Sequence, residues 1–375
     1  MNTKQSPSPI ERYAQFLPAF KGKKPLPFGL KETEFYRASR FAKWLGVSEC
    51  YLKLETTHPT GTIKDRITEV TYSLFNSEGV DSYSHCSTGN TGTSLVWGMD
   101  KLPKPFALTV FIPEKQLTHH NFQKNPNLTT FLVENAEYEE AKRYWIWYVR
   151  NVSHQPEYLS YSSGWRRQAN EIPYLEAYEQ AGKAGARIDF VVQAISDGTG
   201  IVAAEMAARD ALAEGWLTKK PAFVATQPTA ANPVVRCFRK GLSTYDPLCT
   251  VSKLEPSRAF AIRRTDAQPY YQYIYDVIKD GGNAIDATEE EIREAKQTLF
   301  TLEKIDAGYT ACTSLAAIRK ENHKSGFFKN KNALVMITGI DRPTEVVPKI
   351  DRIIPEWEWR KVLGDGNNYQ SMPGI

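Results

Sequence analysis

Short apolar segments alternate with amphipathic segments along most of this chain, and no other feature restricts its fold as strongly. Runs of strand type occur at residues 50–54, 83–86, 106–112, 188–195, 222–226 and 333–337. Strands that alternate with helical segments are typical of βαβ units and of a mostly parallel sheet. The sequence therefore predicts an α/β fold.

Helical spacing fills the intervals between these strand-like runs. It predicts helices over residues 35–45, 63–75, 93–97, 201–214 and 288–302. Gly46 and Gly215 stand where a helix would end, and Thr288 with Glu291 has the spacing of a capping box. Residues 1–28 are rich in proline and lysine and are predicted to form a loosely connected arm.

Length and charge exclude several classes of protein. A chain of 375 residues suggests two domains or one large one. Its 47 Lys and Arg residues against 43 Asp and Glu leave a formal charge of +4, which argues against a nucleic-acid-binding surface. No apolar run approaches the roughly 18 residues of a membrane span, and the first residues lack the apolar stretch of a secretory signal. We therefore expect a cytoplasmic protein without a nucleic-acid or membrane partner.

The five cysteines are scattered singly, without a C-x-x-C pair and without histidine at metal-ligand spacing. This distribution argues against a disulfide framework and against a zinc site. The adjacent His119 and His120 would point in different directions on a helix or a strand, so they are poor candidates for a shared ligand set. No metal site is predicted.

Ligands of open α/β sheets bind beyond the carboxyl ends of the strands, so the turns found there are the candidate sites. Residues 59–66 read P-T-G-T-I-K-D-R and place Lys64 one residue into a predicted helix. A desolvated lysine at this position would have a lowered pKa and would be suited to form a Schiff base. The alternative is a surface lysine paired with Asp65.

Two further turns are suited to anions. Residues 87–92, S-T-G-N-T-G, join a strand to a helix and offer hydroxyls, an amide and backbone N–H groups to a carboxylate. Residues 197–200, D-G-T-G, precede a helix whose dipole and free N–H groups favour a phosphate. Either turn can also be an ordinary glycine turn with a helix cap. Thr338 and Gly339 follow the last core strand, where a neutral hydroxyl would meet a bound group.

A dinucleotide site at residues 197–200 is disfavoured. Its fingerprint requires a third glycine and an acidic residue at the end of the next strand. Ala203 stands in the place of that glycine, and the next strand ends at Thr226-Gln-Pro228. The sequence also lacks the G-x-x-x-x-G-K-[ST] pattern of a P-loop, so a smaller phosphorylated cofactor fits better.

These segments together resemble the threonine-synthase branch of the fold type II pyridoxal-phosphate enzymes, also called the tryptophan-synthase β or cysteine-synthase-like fold. Residues 59–66 resemble the family's N-P-T-G-S-F-K-D-R, residues 87–91 its S-T/S-G-N-T, and Thr338-Gly339 its terminal T-G. Residues 259–264 resemble the branch's A-x-A-I-R-I. The resemblance implies a lyase that depends on pyridoxal 5′-phosphate (PLP).

The resemblance also implies a role for each candidate residue. Lys64 is the expected Schiff-base and catalytic lysine, Asn90 the partner of the pyridoxal hydroxyl, and Thr338 the neighbour of the pyridine nitrogen. The residues implied in PLP binding are Lys64, Asn90, Asp197, Gly198, Thr199, Gly200, Ile201 and Thr338. Those implied in substrate binding are Ser87, Thr88, Gly89, Thr91 and Arg166. A neutral threonine would not keep the ring nitrogen protonated, which favours loss of a leaving group at the β or γ carbon over transamination.

The expected substrate is O-phospho-L-homoserine, although the substrate side departs from the branch. Residues 160–166 read S-Y-S-S-G-W-R where threonine synthases have N-S-x-N-P-Y-R, so Arg166 keeps a cation for a phosphate or carboxylate. The phosphate loop reads S-D-G-T-G instead of G-N-A-G-N. One alternative is a β-replacing synthase or a dehydratase acting on O-phosphoserine, serine or threonine in a specialised amino-acid pathway. Another is a PLP-binding regulatory protein.

Two domains are expected from the resemblance, each with a mostly parallel sheet flanked by helices. Residues 1–66 plus 161–352 would form a large PLP-binding domain, and residues 67–160 a small mobile domain that closes over substrate. Residues 353–375 would form a C-terminal tail. Family members are usually dimers, so we expect a homodimer that acts on a small amino acid in amino-acid biosynthesis.

Overall fold

The computed structural model describes residues 7–153, 155, 164–342 and 347–364. Its strands are β1 (Phe35–Arg37), β2 (Glu49–Leu54), β3 (Ser82–Cys86), β4 (Ala107–Pro113), β5 (Leu128–Val133), β6 (Phe190–Ala194), β7 (Ala222–Pro228), β8 (Asn283–Ala287), β9 (Asn332–Ile337) and β10 (Arg352–Ile354). Its α-helices are α1 (Pro9–Tyr13), α2 (Ser39–Leu45), α3 (Lys64–Glu78), α4 (Asn90–Met99), α5 (Tyr138–Tyr148), α6 (Gly164–Lys183), α7 (Thr199–Ala213), α8 (Pro233–Arg239), α9 (Tyr271–Ile278), α10 (Glu289–Glu303), α11 (Tyr309–Ser325) and α12 (Glu356–Leu363).

The chain divides into two compact units. Unit 1 groups residues 1–21, 29–66 and 160–341, as far as the structure describes them. Unit 2 groups residues 22–28, 67–159 and 342–375 with the same restriction. Each unit therefore brings together stretches that are distant in the sequence.

The described residues of unit 1 form a six-stranded sheet in the order β1-β2-β9-β6-β7-β8. β1 runs antiparallel to β2, and all other neighbouring strands are parallel. Helices α2, α10 and α11 cover one face through buried side chains such as Phe41, Leu299 and Leu315, which pack with Val192 and Val335 of the sheet. The central strands are buried on both faces, which is why they consist of nearly continuous apolar runs.

The described residues of unit 2 form a smaller, parallel sheet in the order β10-β5-β4-β3. Helix α5 packs on this sheet, and the indole Nε1 of its fully buried Trp145 donates a hydrogen bond to Ser84 Oγ over 2.9 Å. The prediction of an α/β fold with mostly parallel sheets flanked by helices is confirmed for both units.

For residues 7–28, the described part of residues 1–28, the prediction of a loosely connected arm is wrong. Ser8 and Glu11 make a capping box that starts α1, and the hydroxyl of the buried Tyr13 donates to Glu179 Oε2 over 2.6 Å. Leu17 and Phe20 are also buried. Proline and lysine content described the exposed residues of this segment, but the apolar residues spaced between them decide its packing.

The helix predicted over residues 35–45 begins four residues later than expected. Residues 35–37 form β1, in which Phe35 pairs with Lys53 and stacks on the ring of Tyr51 at a centroid distance of 4.8 Å. Helix α2 then starts at Ser39 and ends before Gly46. The aromatic residues fit a strand as well as a helix, and pairing with β2 decides in favour of the strand.

The predicted domain boundaries differ from the observed units at two places. Residues 22–28 group with unit 2 because the ring of Phe28 packs against Tyr72 and Trp97 at centroid distances of 6.4 and 6.0 Å. The described residues after 342 group with unit 2 as well, because β10 pairs with β5. The described part of the predicted C-terminal tail contains the last residues of β10 and all of α12.

All five cysteines are buried, and none of them forms a disulfide within the described residues. In the described part of the chain, none of the helices combines the length and the apolar character that crossing a membrane requires.

Candidate active site

Three neighbouring strands of unit 1 carry predicted site residues beyond their carboxyl ends. β2 leads to the turn with Lys64, β9 leads to Thr338, and β6 leads to residues 197–201. Because β2, β9 and β6 are adjacent and parallel, these segments lie at the same edge of the sheet.

Backbone hydrogen bonds hold the Lys64 turn against Thr338. The carbonyl oxygen of Thr338 accepts from Ile63 N over 2.9 Å and from Thr62 Oγ1 over 3.1 Å. Thr62 also forms an isolated antiparallel bridge with Gly339. The structure therefore brings Lys64 and Thr338 together although they are far apart in the sequence. The hydroxyl of Thr338 makes no hydrogen bond within the described residues.

The half-buried side chain of Lys64 is not paired with Asp65, which was the alternative interpretation. Asp65 Oδ2 instead accepts from Thr60 N over 2.7 Å, and this bond closes the turn. Within the residues that the structure describes, Lys64 Nζ makes no hydrogen bond and no ion pair. Its amine is therefore available to a bound carbonyl group.

Burial, together with the positive charges of Arg166 and Arg264, lowers the pKa of Lys64 to about 8, while the carboxylate of Asp197 acts in the opposite direction. A substantial fraction of this amine is neutral near pH 8. A neutral amine is the form that attacks a carbonyl or accepts a proton.

The turn at residues 197–201 has the shape of an anion site. Gly198 adopts a φ of +75°, and a Cβ at this position would lie 2.3 Å from Ile274 Cγ1. Asp197 Oδ1 accepts from Thr199 N over 3.1 Å and from Thr199 Oγ1 over 2.7 Å. The next two donors, Gly200 N and Ile201 N in the first turn of α7, make no hydrogen bond within the described residues. They remain available to an anion.

Two arginines of unit 1 act on this edge of the sheet. Arg166, at the start of α6, is 8% exposed, and no carboxylate pairs with its guanidinium within the described ranges. Arg264 donates from Nε to Ser196 Oγ over 2.7 Å, next to the anion turn.

Arg264 lies in a segment that resembles the family, but the sequence predicted no role for it. A signal for it was its position within the A-F-A-I-R-R run of otherwise mostly apolar residues. Residues 160–163, which precede Arg166 in the predicted substrate segment, lie outside the described residues.

In unit 2, residues 87–89 form a tight turn between β3 and α4, and Asn90 and Thr91 begin α4. The buried hydroxyl of Ser87 accepts from Gly89 N over 3.0 Å and from Gly92 N over 2.8 Å. Gly89 adopts a φ of +138°, and a Cβ there would lie 2.6 Å from the carbonyl oxygen of His119. Thr88, Asn90 and Thr91 are half-buried. The Ser87 side chain is thus used to shape the turn.

Asn90 is the first residue of α4, and its Oδ1 accepts a hydrogen bond from Arg342 Nη1 over 2.7 Å. Both side chains are half-buried and belong to unit 2. Arg342 was not among the predicted site residues, because it is separated from Asn90 by 252 positions and nothing local marks it.

No group of three or more His, Cys, Asp or Glu side chains in the described ranges is arranged to hold a metal ion.

Residues 26–339, most of the chain, match the protein family described as "Pyridoxal-phosphate dependent enzyme". The chain belongs to this family. As a PLP-dependent enzyme it is a lyase of the class that eliminates or replaces groups on amino acids, and its cofactor is PLP. The predicted resemblance to this family and its threonine-synthase branch is confirmed.

Several PLP-dependent enzymes are similar to this one. The threonine synthase of Methanocaldococcus jannaschii is 24% identical over 88% of this chain and 79% of its own length. The threonine synthase of Methanosarcina acetivorans is 24% identical over 92% of this chain and 85% of its own. Among solved structures, maize serine racemase matches with a TM-score of 0.67 and 14% identity, covering 89% of this chain and 94% of that chain. This last likeness shows the fold alone, which is fold type II.

The residues at the edge of unit 1 fit the cofactor of this PLP-dependent enzyme. Lys64 Nζ, with a pKa near 8 and no partner among the described residues, suits covalent attachment of an aldehyde. The unbonded donors Gly200 N and Ile201 N suit a phosphate. The carboxylate of Asp197 adds a negative charge there, and Arg264 stands at the neighbouring Ser196 to offset it.

Proposed function

We propose that this enzyme eliminates or replaces a group at the β or γ carbon of an amino acid, and that its substrate is O-phospho-L-homoserine. The observation that carries this proposal is Arg166. Its buried guanidinium has no carboxylate partner within the described residues, and its charge acts on Lys64. A buried, unpaired cation is unfavourable unless a ligand supplies the anion. A substrate phosphate or carboxylate would do so, and an arginine fork suits either group.

The residues of unit 1 would share the work of holding the cofactor. Lys64 Nζ would attach it covalently, Gly200 N and Ile201 N would bind its phosphate, and the Thr338 hydroxyl would stand beside its ring nitrogen. The resemblance assigns its ring hydroxyl to Asn90. When bound, PLP supplies an electron sink for negative charge at the substrate α carbon.

Lys64 would also move the protons of the reaction. Its amine would remove the proton from the substrate α carbon and return it later. Because the pKa of Lys64 is lowered to about 8, a substantial fraction of this amine is neutral near pH 8. Thr338 is neutral and cannot enforce a positive charge on the ring, which supports departure of the leaving group instead of transamination.

The test is to incubate the PLP-loaded enzyme with O-phospho-L-homoserine and to measure free phosphate and the amino-acid product. Release of phosphate with formation of threonine is the expected result. Release of phosphate with a product other than threonine would support elimination at the γ carbon and would show that the remaining carbon skeleton reacts differently. If no phosphate appears while the bound cofactor is visible by absorbance, the proposed substrate is wrong, and O-phosphoserine, serine and threonine are assayed next.

Two variants test the proposed roles of Lys64 and Arg166 in this assay. Lys64→Ala should abolish turnover, whereas a turnover that survives it unchanged would remove Lys64 from the mechanism. Arg166→Met should raise KM for the phosphorylated substrate, and Arg167→Met serves as the matched control because it removes the adjacent arginine. A protein that binds PLP but turns over none of these substrates would instead be a regulatory protein.

The resemblance also leads us to propose a homodimer that serves amino-acid biosynthesis. Light scattering coupled to size exclusion tests the dimer. A molar mass near the 42.4 kDa of one chain would contradict it.

A further inference from the structure

The hydrogen bond between Arg342 and Asn90 fixes which end of the Asn90 amide faces Arg342 and which end faces away from Arg342. Arginine carries only hydrogen-bond donors, so the atom that accepts from Arg342 Nη1 over 2.7 Å must be the amide oxygen. The Asn90 Nδ2 group, with its two hydrogens, therefore points away from Arg342. Without this bond the amide could turn over and exchange its donor for its acceptor.

The backbone under Asn90 is fixed independently of Arg342. Ser87 Oγ accepts from Gly89 N and Gly92 N, and Gly89 packs against the carbonyl oxygen of His119. Loss of Arg342 would therefore leave the hydrogen bonds of the turn in place and release the side-chain amide of Asn90. This separates the orientation of Asn90 from the folding of its loop.

We infer that Arg342 is a positioning residue that holds the Asn90 amide so that it offers N–H donors to the ring hydroxyl of PLP. The inference rests on the role of Asn90 in the proposed function. A donor stabilises the ionised form of a hydroxyl oxygen, whereas an amide oxygen turned toward it would destabilise that form. Arg342 would thus act on the ionisation of the cofactor hydroxyl through Asn90.

The test compares the absorbance of the PLP-loaded wild type, Arg342→Met, Asn90→Ala and the double variant across pH. Ionisation of the hydroxyl changes the ratio of the visible to the near-ultraviolet band, and this readout needs no substrate. Arg342→Met should lower the ratio and weaken PLP binding by about tenfold, as expected for loss of a hydrogen bond to a charged group. In the Asn90→Ala background, Arg342→Met should have no further effect, because its action passes through Asn90.

Three further variants make the outcome specific. Arg342→Lys keeps a donor-only side chain and should restore part of the spectrum. Asn90→Asp keeps a partner for Arg342 but removes the N–H donors, so its spectrum should resemble that of Asn90→Ala. Arg352→Met removes an exposed arginine of unit 2 and should leave the spectrum unchanged.

The possible failures can be told apart. If Asn90→Ala has the wild-type spectrum, the role of Asn90 in the proposed function is wrong. If Asn90→Ala changes the spectrum but Arg342→Met does not, or if the two effects add, Arg342 does not act through Asn90 and the inference is overturned. Neither result depends on which amino acid is the substrate.

Discussion

Glu55 and Arg66 form a buried, two-pronged ion pair at the base of the segment that carries Lys64. Arg66 Nε donates to Glu55 Oε2 over 2.7 Å, and its Nη2 donates to Oε1 over 3.1 Å. Arg66 Nη2 also donates to Glu176 Oε1 of α6 over 2.8 Å. The pair joins the two ends of the Lys64 segment and ties it to the helix that begins near Arg166.

Arg66→Met should destabilise the protein by about 3–5 kcal/mol, because it leaves two buried carboxylates with less compensating charge. The measurement is the free energy of unfolding in urea. The matched control is Arg37→Met, which breaks a similar two-pronged pair with Glu49 on an arginine that is 63% exposed. That control should lose far less stability than Arg66→Met, because an exposed ion pair contributes little.

A loss of stability in Arg66→Met no larger than in Arg37→Met would contradict the structural role of the buried pair. If Arg66→Met does not fold, Arg66→Lys tests the same point. It keeps the charge without the fork and should lose stability relative to the wild type while remaining folded.

The lowered pKa of Lys64 should be visible when PLP is added to cofactor-free enzyme. Covalent attachment requires the neutral amine, so its rate should rise with pH around a midpoint near 8. Arg166→Met removes a positive charge and should move this midpoint upward. Asp197→Asn removes a negative charge and should move it downward. Arg167→Met should leave it in place, and a midpoint near the ordinary lysine value in the wild type would contradict the burial of this amine.

The sequence predicted those strands and helices whose pattern lies within a short stretch of neighbouring residues. Central strands such as β6 and β9 are buried on both faces, so their apolar runs are recognisable without a partner. β8 was missed because its five residues include Asn283 and Asp286. β10 was missed because it is a three-residue edge strand whose partner β5 lies more than 200 positions away.

Site residues were likewise predicted only where a local sequence pattern marks them. The turns with Lys64, Asn90 and residues 197–201 were found because a glycine turn between a strand and a helix is a local pattern. Arg264 and Arg342 were not assigned roles, since each matters only through a contact with a distant residue. The alternative interpretation paired the Asp65 carboxylate with Lys64, whereas in the structure Asp65 Oδ2 accepts from Thr60 N.

Gly198 should be the least replaceable glycine of the anion turn. Gly198→Ala combines a left-handed backbone, which costs about 1–2 kcal/mol, with a collision against Ile274 that costs about 1–3 kcal/mol more. Gly215→Ala is the matched control, because Gly215 has a φ of +71° and no described atom within 4 Å of the added Cβ. Urea unfolding should show a larger loss for Gly198→Ala, and PLP should bind it more weakly.

A double-variant cycle identifies the collision. In an Ile274→Ala background the added methyl group has space, so Gly198→Ala should then cost about as much as Gly215→Ala. An unchanged cost in that background would show that the side chain of Ile274 is not what excludes alanine from position 198.

Glu171 of α6 should make the protein less stable at alkaline pH. Burial and, to a smaller degree, the charge of Asp210 raise the pKa of Glu171 to about 8, and its Oε1 has no hydrogen-bond partner among the described residues. Because the folded-state pKa lies above the unfolded value near 4.5, this group favours folding below pH 4.5 and loses that contribution as the pH rises through 8. The loss is about 1.4 kcal/mol for each pH unit in this window.

Glu171→Gln cannot titrate, so the difference in unfolding free energy between this variant and the wild type should shift in favour of the variant from pH 5 to pH 9. Urea unfolding at both pH values measures this shift. Glu294→Gln, at an exposed position of α10, should show no such gain, and equal pH profiles for the wild type and Glu171→Gln would contradict the raised pKa.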